Sequence, residues 1–446
     1  MPYICPPLPS AIRPLVMRHA SDAGFYWAQH DQSVHSPKVG LERLLHFGRV
    51  LDAHLDGLLV AGDEGWQIAI EELERWRSSR EVFVAAYLAL RSDNGDRLRA
   101  VWDVIKLSPE RGLRGLISAL AWVPAKHSLP WIEHWARGNQ PALQVTALRA
   151  AALMGAAADA AISTAVEPAL RQEDSSVRAA ACRLIGTGRF SPPPAALEDW
   201  LNHADLCTRA EAAIALLPHK PEAAVNSLWK AVGEQAGLAA EAEGWDKQQA
   251  ERRLARWVRL LGPYLPYSHP AIPQLVSRLP VRQGLQLALY HADPALLPWI
   301  IDQMESPDTA RYAGWVWYAL TGVHLERYGL AVPPDADDER ITLADSDLDA
   351  GLPLPHLPSI RAWQSMHGSA LPAGSPVLLG QALNTDLAIS TLALAPQALR
   401  TIASQWLARE AAPYRALSTR SPAARQAVWL TKLPHSHCDE WVLSRL

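Results

Sequence analysis

Four cysteines, Cys5, Cys182, Cys207 and Cys438, lie far apart, and no CxxC pair occurs. That spacing excludes a disulfide-dense secreted scaffold and the usual zinc knuckles. Charge of one sign is lacking as well, since 42 Lys and Arg stand against 46 Asp and Glu for a formal charge of -4. A globally basic nucleic-acid binder is excluded, though a local basic patch is not. No window of ~18 residues is free of both charge and proline, so no membrane span is expected. The most apolar stretch, Ala150 to Val166, is mostly alanine and carries Asp159. The opening Met1-Pro-Tyr-Ile-Cys has neither the basic nor the apolar region of a signal peptide, and a cytoplasmic location is expected. The P-loop pattern, HExxH, GxSxG and a strand-borne GxGxxG are missing too. The sequence therefore assigns no catalytic residue, cofactor-binding residue, metal ligand or cofactor.

What is present is core material: 49% of the 446 residues are apolar and 20% charged. At roughly 150 residues per domain, that length means about three domains or one long repeat array. A repeat is visible. Segments beginning at Leu113, Thr146, Val177, Thr208, Arg253, Val281 and Ala310 share one alanine-rich helix pattern. They start roughly 30 residues apart, with one longer interval that holds an insertion around Gly233 to Gln249. Each unit reads as two helices. The first often ends at glycine (Gly155, Gly186, Gly262, Gly322), as a helix C-cap would. A second amphipathic helix follows, as at Ala161 to Arg171, Ala195 to Asn202, Ala223 to Gly233, Ala271 to Arg278 and Pro294 to Met304. Acidic turns join the units, with Asp174 or Ser175 suited to N-cap the next helix. One such hairpin cannot bury its own apolar face, so stacked neighbours must do it.

The expected architecture is all-α, a HEAT-like α-solenoid with a helical N-terminal cap and a helical C-terminal region. Residues 1–77 are the cap, with helices from Ala11 to Asp31, Lys38 to Leu59 and Gly62 to Arg77. Residues 78–329 are the repeats, beginning with a degenerate pair before Leu113. Residues 330–358 are an acidic, proline-rich loop, and 359–446 the C-terminal region, with helices over Ser359 to Met366 and Asp386 to Glu410.

The stretch Leu51-Asp-Ala-His-Leu-Asp-Gly-Leu-Leu-Val-Ala-Gly-Asp-Glu-Gly-Trp resembles the N-terminal signature of a family of uncharacterised bacterial HEAT-repeat proteins. Some of its members are encoded beside type VI secretion genes. Further resemblance lies in Ala310-Arg-Tyr-Ala-Gly through Leu320-Thr-Gly-Val, in Leu352-Pro-Leu-Pro, in Pro372-Ala-Gly with Leu379-Gly, and in Thr419-Arg-Ser-Pro-Ala-Ala-Arg-Gln. Tyr312-Ala-Gly-Trp-Val-Trp-Tyr departs from the family pattern by being more aromatic. The resemblance implies an accessory or adaptor for type VI secretion, handling an effector or spike component. It brings no catalytic residues.

Several polar clusters invite a site reading. Asp52 and Asp56 share a helix face, while His54 sits about 160° away, which favours a hydrogen-bond network before a Gly57 cap over a convergent site. Asp345, Asp347, Asp349 and Gly351 resemble a calcium loop, but the glycine is one place late and position 12 is His356. A solvated acidic linker is the expectation, with a loose cation site as the alternative. His435, His437, Cys438, Asp439 and Glu440 read as a polar tail. Arg114, Arg178, Arg209 and Arg311 recur at the second position of their repeats and would pair with acidic residues of adjacent turns, such as Asp174 or Asp308.

Tryptophan is the conspicuous side chain, with 18 against only 4 Phe. Trp122, Trp131 and Trp135 cluster in one repeat, and Trp299, Trp315 and Trp317 in another. Core packing explains most of them, yet Trp also dominates interface hot spots, so these six are the candidate partner-binding residues. Trp315 and Trp317 are two apart on a helix, so one is expected in the core and the other toward a neighbour or the surface. The sequence thus reads as a non-catalytic scaffold or adaptor for a protein partner, with no nucleic acid expected. The alternatives are a HEAT-like nucleic-acid-binding or DNA-repair enzyme and a HEAT-like chromophore lyase.

Overall fold

The structure is a computed structural model that describes residues 11–92, 94–188, 190, 195–333, 349–411 and 417–433. The expected all-α class holds: apart from one two-residue ribbon, the described elements are helices. Two compact units divide the chain. One comprises Met1–Arg189, Ala393–Thr401 and Leu417–Leu446, the other Phe190–Leu392 and Ile402–Ala416.

In the first unit the helices are α1 (Arg13–Gln32), α2 (Leu41–Val60), α3 (Asp63–Trp76), α4 (Ser79–Arg91), α5 (Gly95–Ile105), α6 (Pro109–Trp122), α7 (Ala125–Ala136), α8 (Pro141–Met154), α9 (Asp159–Leu170) and α10 (Ser175–Ile185). Punctuation in the sequence sets their bounds. Pro stands in the first turn of α1, α6 and α8, where a missing N–H costs nothing. Ser78, Asn94 and Asp174 cap α4, α5 and α10 with side-chain oxygens. Helices α4, α6, α8 and α10 pack in series, with α7 and α9 beside one another. On α4, Val82 through Leu90 are all buried, because neighbours cover every side of that helix. Pro141–Leu170 is apolar and long enough by composition to cross a membrane, yet it bends at Gly155 into the separate helices α8 and α9.

The second unit holds α11 (Ala196–Asp199), α12 (Leu206–Leu216), α13 (Pro221–Glu241), α14 (Gly244–Leu261), α15 (Ala271–Arg278), α16 (Val281–His291), α17 (Leu297–Asp302) and α18 (Pro307–Thr321). Here α12, α14, α16 and α18 pack in series. The insertion seen in the sequence lengthens α13 and α14 instead of forming a loop. Val377–Leu378 and Gln381–Ala382 make the ribbon. Its edge donates Val377 N to Ala292 O, Leu379 N to Ala319 O and Gly380 N to Leu320 O, each at 2.8 Å. The ribbon thus satisfies carbonyls that the ends of α16 and α18 would leave orphaned.

One expectation about helix ends holds and another needs correction. All four glycines expected as C-caps do end their helices, Gly155 and Gly322 at positive φ (69° and 73°) and Gly186 and Gly262 in a right-handed conformation. Gly262 serves close approach: a Cβ there would lie 2.9 Å from the His291 amide nitrogen. The C-terminal helix expected over Asp386 to Glu410 is two helices, Thr385–Leu394 and Gln397–Glu410, interrupted before Pro396.

Candidate functional site

Helices α1 and α2 form an antiparallel hairpin that places the start of α1 beside the end of α2. Leu15, Arg18, His19, Asp22, Phe25 and Tyr26 recur at helical spacing on α1 and, with His54 of α2, line an open cavity of about 430 Å³. His19 Nδ1 lies 2.9 Å from His54 Nδ1. One of the two nitrogens must carry the proton and the other accept it. His54 Nε2 faces Asp22 Oδ2 at 3.7 Å, and Arg18 Nε approaches the same oxygen at 3.4 Å. That carboxylate favours Nε2–H on His54, so its Nδ1 is the acceptor and His19 the donor. Tyr26 stacks on the His54 ring at 5.9 Å and 15°. Burial lowers the His54 pKa below the ordinary histidine value; Asp22 opposes this, and His19 and Arg18 reinforce it. Leu15 and Phe25 flank this polar floor and are about half exposed, at 51% and 47%.

The sequence singled out His54 but paired it with the wrong neighbours. Asp52 accepts from Trp122 Nε1 at 3.4 Å instead, and burial raises its pKa. Gly57 does not cap α2, which continues to Val60. It makes room for His19, whose ring atoms lie 3.0 to 3.1 Å from where a Cβ at position 57 would stand. The only sequence trace of His19 and Asp22 is their three-residue spacing on one helix face.

Among the described residues, no three His, Cys, Asp or Glu side chains group to hold a metal ion. Asp349 is not part of a solvated linker. It is buried, and its two oxygens accept from Arg282 Nη1 and Nη2 at 2.6 and 2.8 Å. Asp345, Asp347 and the tail residues His435, His437, Cys438, Asp439 and Glu440 lie outside the described residues.

The six tryptophans are not brought to one place. Trp135, Trp315 and Trp317 are buried, and Trp122, Trp131 and Trp299 half-buried. Trp131 packs on Trp135 at 5.8 Å, and Trp122 meets His30 and Phe83 edge-on at 4.9 and 5.6 Å. Trp299 lies against Gly284. Trp315 and Trp317 both enter the interior, because both sides of α18 are covered. Trp315 stacks on Tyr312, and Trp317 packs on Trp363 while donating to Gln364 Oε1 at 3.3 Å.

The repeat arginines are engaged inside the fold, two of the four with an acidic side chain as expected. Arg114 Nε reaches Asp31 at 3.1 Å. Arg178 donates to the carbonyls of Gln172 and Glu173, both at 2.7 Å, and Arg209 to His203 O at 3.1 Å and to Glu234. Arg311 donates to Leu352 O. Acidic side chains thus meet Arg114 and Arg209, and backbone carbonyls of the preceding turn meet Arg178 and Arg209.

No family profile and no curated protein matches the chain. Among solved structures, the crystal structure of an engineered protein is similar over 89% of this chain and 98% of that one, at 15% identity and a TM-score of 0.23, a level that carries no argument.

Proposed function

We propose that the chain is a non-catalytic scaffold whose hairpins stack, within each unit, in the manner of a HEAT-like solenoid, and that it binds a protein partner. The observation that carries this reading is the α1–α2 cavity. Exposed Leu15 and Phe25 border a polar floor of Arg18, Asp22, His19 and His54. Apolar margins around a few convergent polar groups suit an inserted side chain of a partner segment. The half-buried Trp122, Trp131 and Trp299 are further candidate contacts.

The resemblance around Leu51 to Trp66 supports a more specific version: an accessory of type VI secretion that handles an effector or spike component. Capture of the full chain from bacteria with an active system should recover such a component, and deletion of the gene should reduce its secretion. Recovery of no such component together with normal secretion overturns that version. The nucleic-acid alternative leans on Arg114, Arg178, Arg209 and Arg311, each of which has hydrogen-bond donors committed within the fold. A salt-dependent shift of DNA by the purified protein would favour it instead.

A further inference from the structure

We propose that the His19–His54 contact is an acid-released latch between α1 and α2: protonation of His54 parts the two rings and opens the floor of the α1–α2 cavity. The inference does not depend on what binds there. A hydrogen bond between two imidazoles needs one bare nitrogen. Asp22 fixes the proton of neutral His54 on Nε2, so the bare nitrogen is His54 Nδ1, 2.9 Å from His19 Nδ1. That gap holds one hydrogen and has no room for two. His19 donates from Nδ1 whether its ring is neutral or charged, so protonation of His54 is the event that breaks the contact. The pair lines an open cavity, through which solvent protons reach it.

His54 is held from two sides. Asp22 Oδ2 faces its Nε2 at 3.7 Å, and Tyr26 stacks on its ring. Both contacts strengthen when the ring gains charge. His19 is seated by shape, in the space that Gly57 leaves, and is therefore the ring that swings away. The charged groups that act on His54 are Asp22, His19 and Arg18, all on α1; among the described residues none from α2 itself, from α3 or α4, or from the helix Ala423–Leu430 joins them. Burial disfavours the charged ring most; Asp22 opposes this, and His19 and Arg18 reinforce it, so the His54 value lies below 6.5. As pH falls the unfolded chain takes up this proton first. The latch thus holds at neutral pH and is lost as pH drops below 6.5 through the folded His54 value.

The test is a pH titration of the full ¹⁵N-labelled chain followed by NMR. His54 Nδ1 should pass from bare to protonated below pH 6.5, and the His19 ring and the Gly57 amide should shift in the same step. In His19→Ala the His54 midpoint should move up, because a like charge and the donor to its bare nitrogen are lost. In Asp22→Asn it should move down, because the carboxylate that favours the charged ring is lost. Far-UV circular dichroism checks that each variant folds. An unchanged His54 midpoint in folded His19→Ala overturns the proposal. So does a wild-type titration in which His54 Nδ1 gains its proton while the His19 and Gly57 signals stay still, and that spectrum decides alone if neither variant folds.

Discussion

Asp174 and Asp205 stand at the same step of successive repeats and hold one backbone geometry, φ -71° and ψ 117° at the first and φ -70° and ψ 117° at the second. Each carboxylate caps the helix that follows: Asp174 accepts from the Ser176 and Val177 amides, and Asp205 from the Thr208 amide. Four residues further on, Arg178 and Arg209 clamp carbonyls of the same turn. The repeat is therefore a hydrogen-bonding device as well as a hydrophobic pattern. Asp174→Ala and Asp205→Ala should each destabilise the protein by about 1 kcal/mol, and replacement by glycine by a few tenths. Urea unfolding of the variants measures this, and no loss in either would deny the capping role.

Arg282 and Asp349 are a second designed contact. The bidentate pair fastens the chain just before Leu352 to α16, and the guanidinium lies 4.4 Å from the centre of the Tyr312 ring. Arg282→Met takes both guanidinium donors from a buried carboxylate and should cost about 3 kcal/mol. The double variant Arg282→Met, Asp349→Leu should regain part of that loss. A double variant less stable than Arg282→Met alone would mean that Asp349 is held by other groups.

Acid should weaken the protein through His30. This ring is buried, and its pKa is lowered to about 3 by burial first and then by Arg114 and Arg420. The folded state keeps it neutral, while the unfolded chain takes up a proton near 6.5. The unfolded state thus binds more protons below pH 6.5, and stability falls as pH drops from there toward 3. Between pH 7 and pH 4.5 the loss should be roughly 2 to 3 kcal/mol. His54, lowered in the same direction, adds to it. Unfolding free energies at the two pH values check this, and His30→Phe should flatten the difference.

Gly57→Ala separates stability from the histidine contact. Alanine favours the helix by about 1 kcal/mol, which offsets crowding of the His19 ring. The fold should stand while His19 and His54 part, read as changed ¹⁵N shifts of both rings. Unchanged shifts would show that the ring does not depend on the space at Gly57.

Much of the helical layout was legible in the sequence because glycine, proline and capping residues are local signals. The first three helices fall within a few residues of their expected bounds. Pairings made across sequence were not legible. His54 shows its own helix face, but nothing local says that His19, 35 residues earlier, will face it. Asp349 reads as one of a run of acids, and its partner Arg282 lies 67 residues away. The ribbon at Val377–Ala382 is too short for an alternating pattern, and its stability comes from helix ends that only the fold supplies. Trp317 was ambiguous because periodicity gives the angle between two side chains but not what covers each side.

The most direct test of the partner-binding reading is capture with the double variant Leu15→Asp, Phe25→Asp. Both side chains are exposed, so the variant should fold as the wild type does. The account expects the wild-type chain to retain a type VI effector or spike component and the variant to lose it. Equal retention by the two proteins would contradict the placement of the binding surface between α1 and α2.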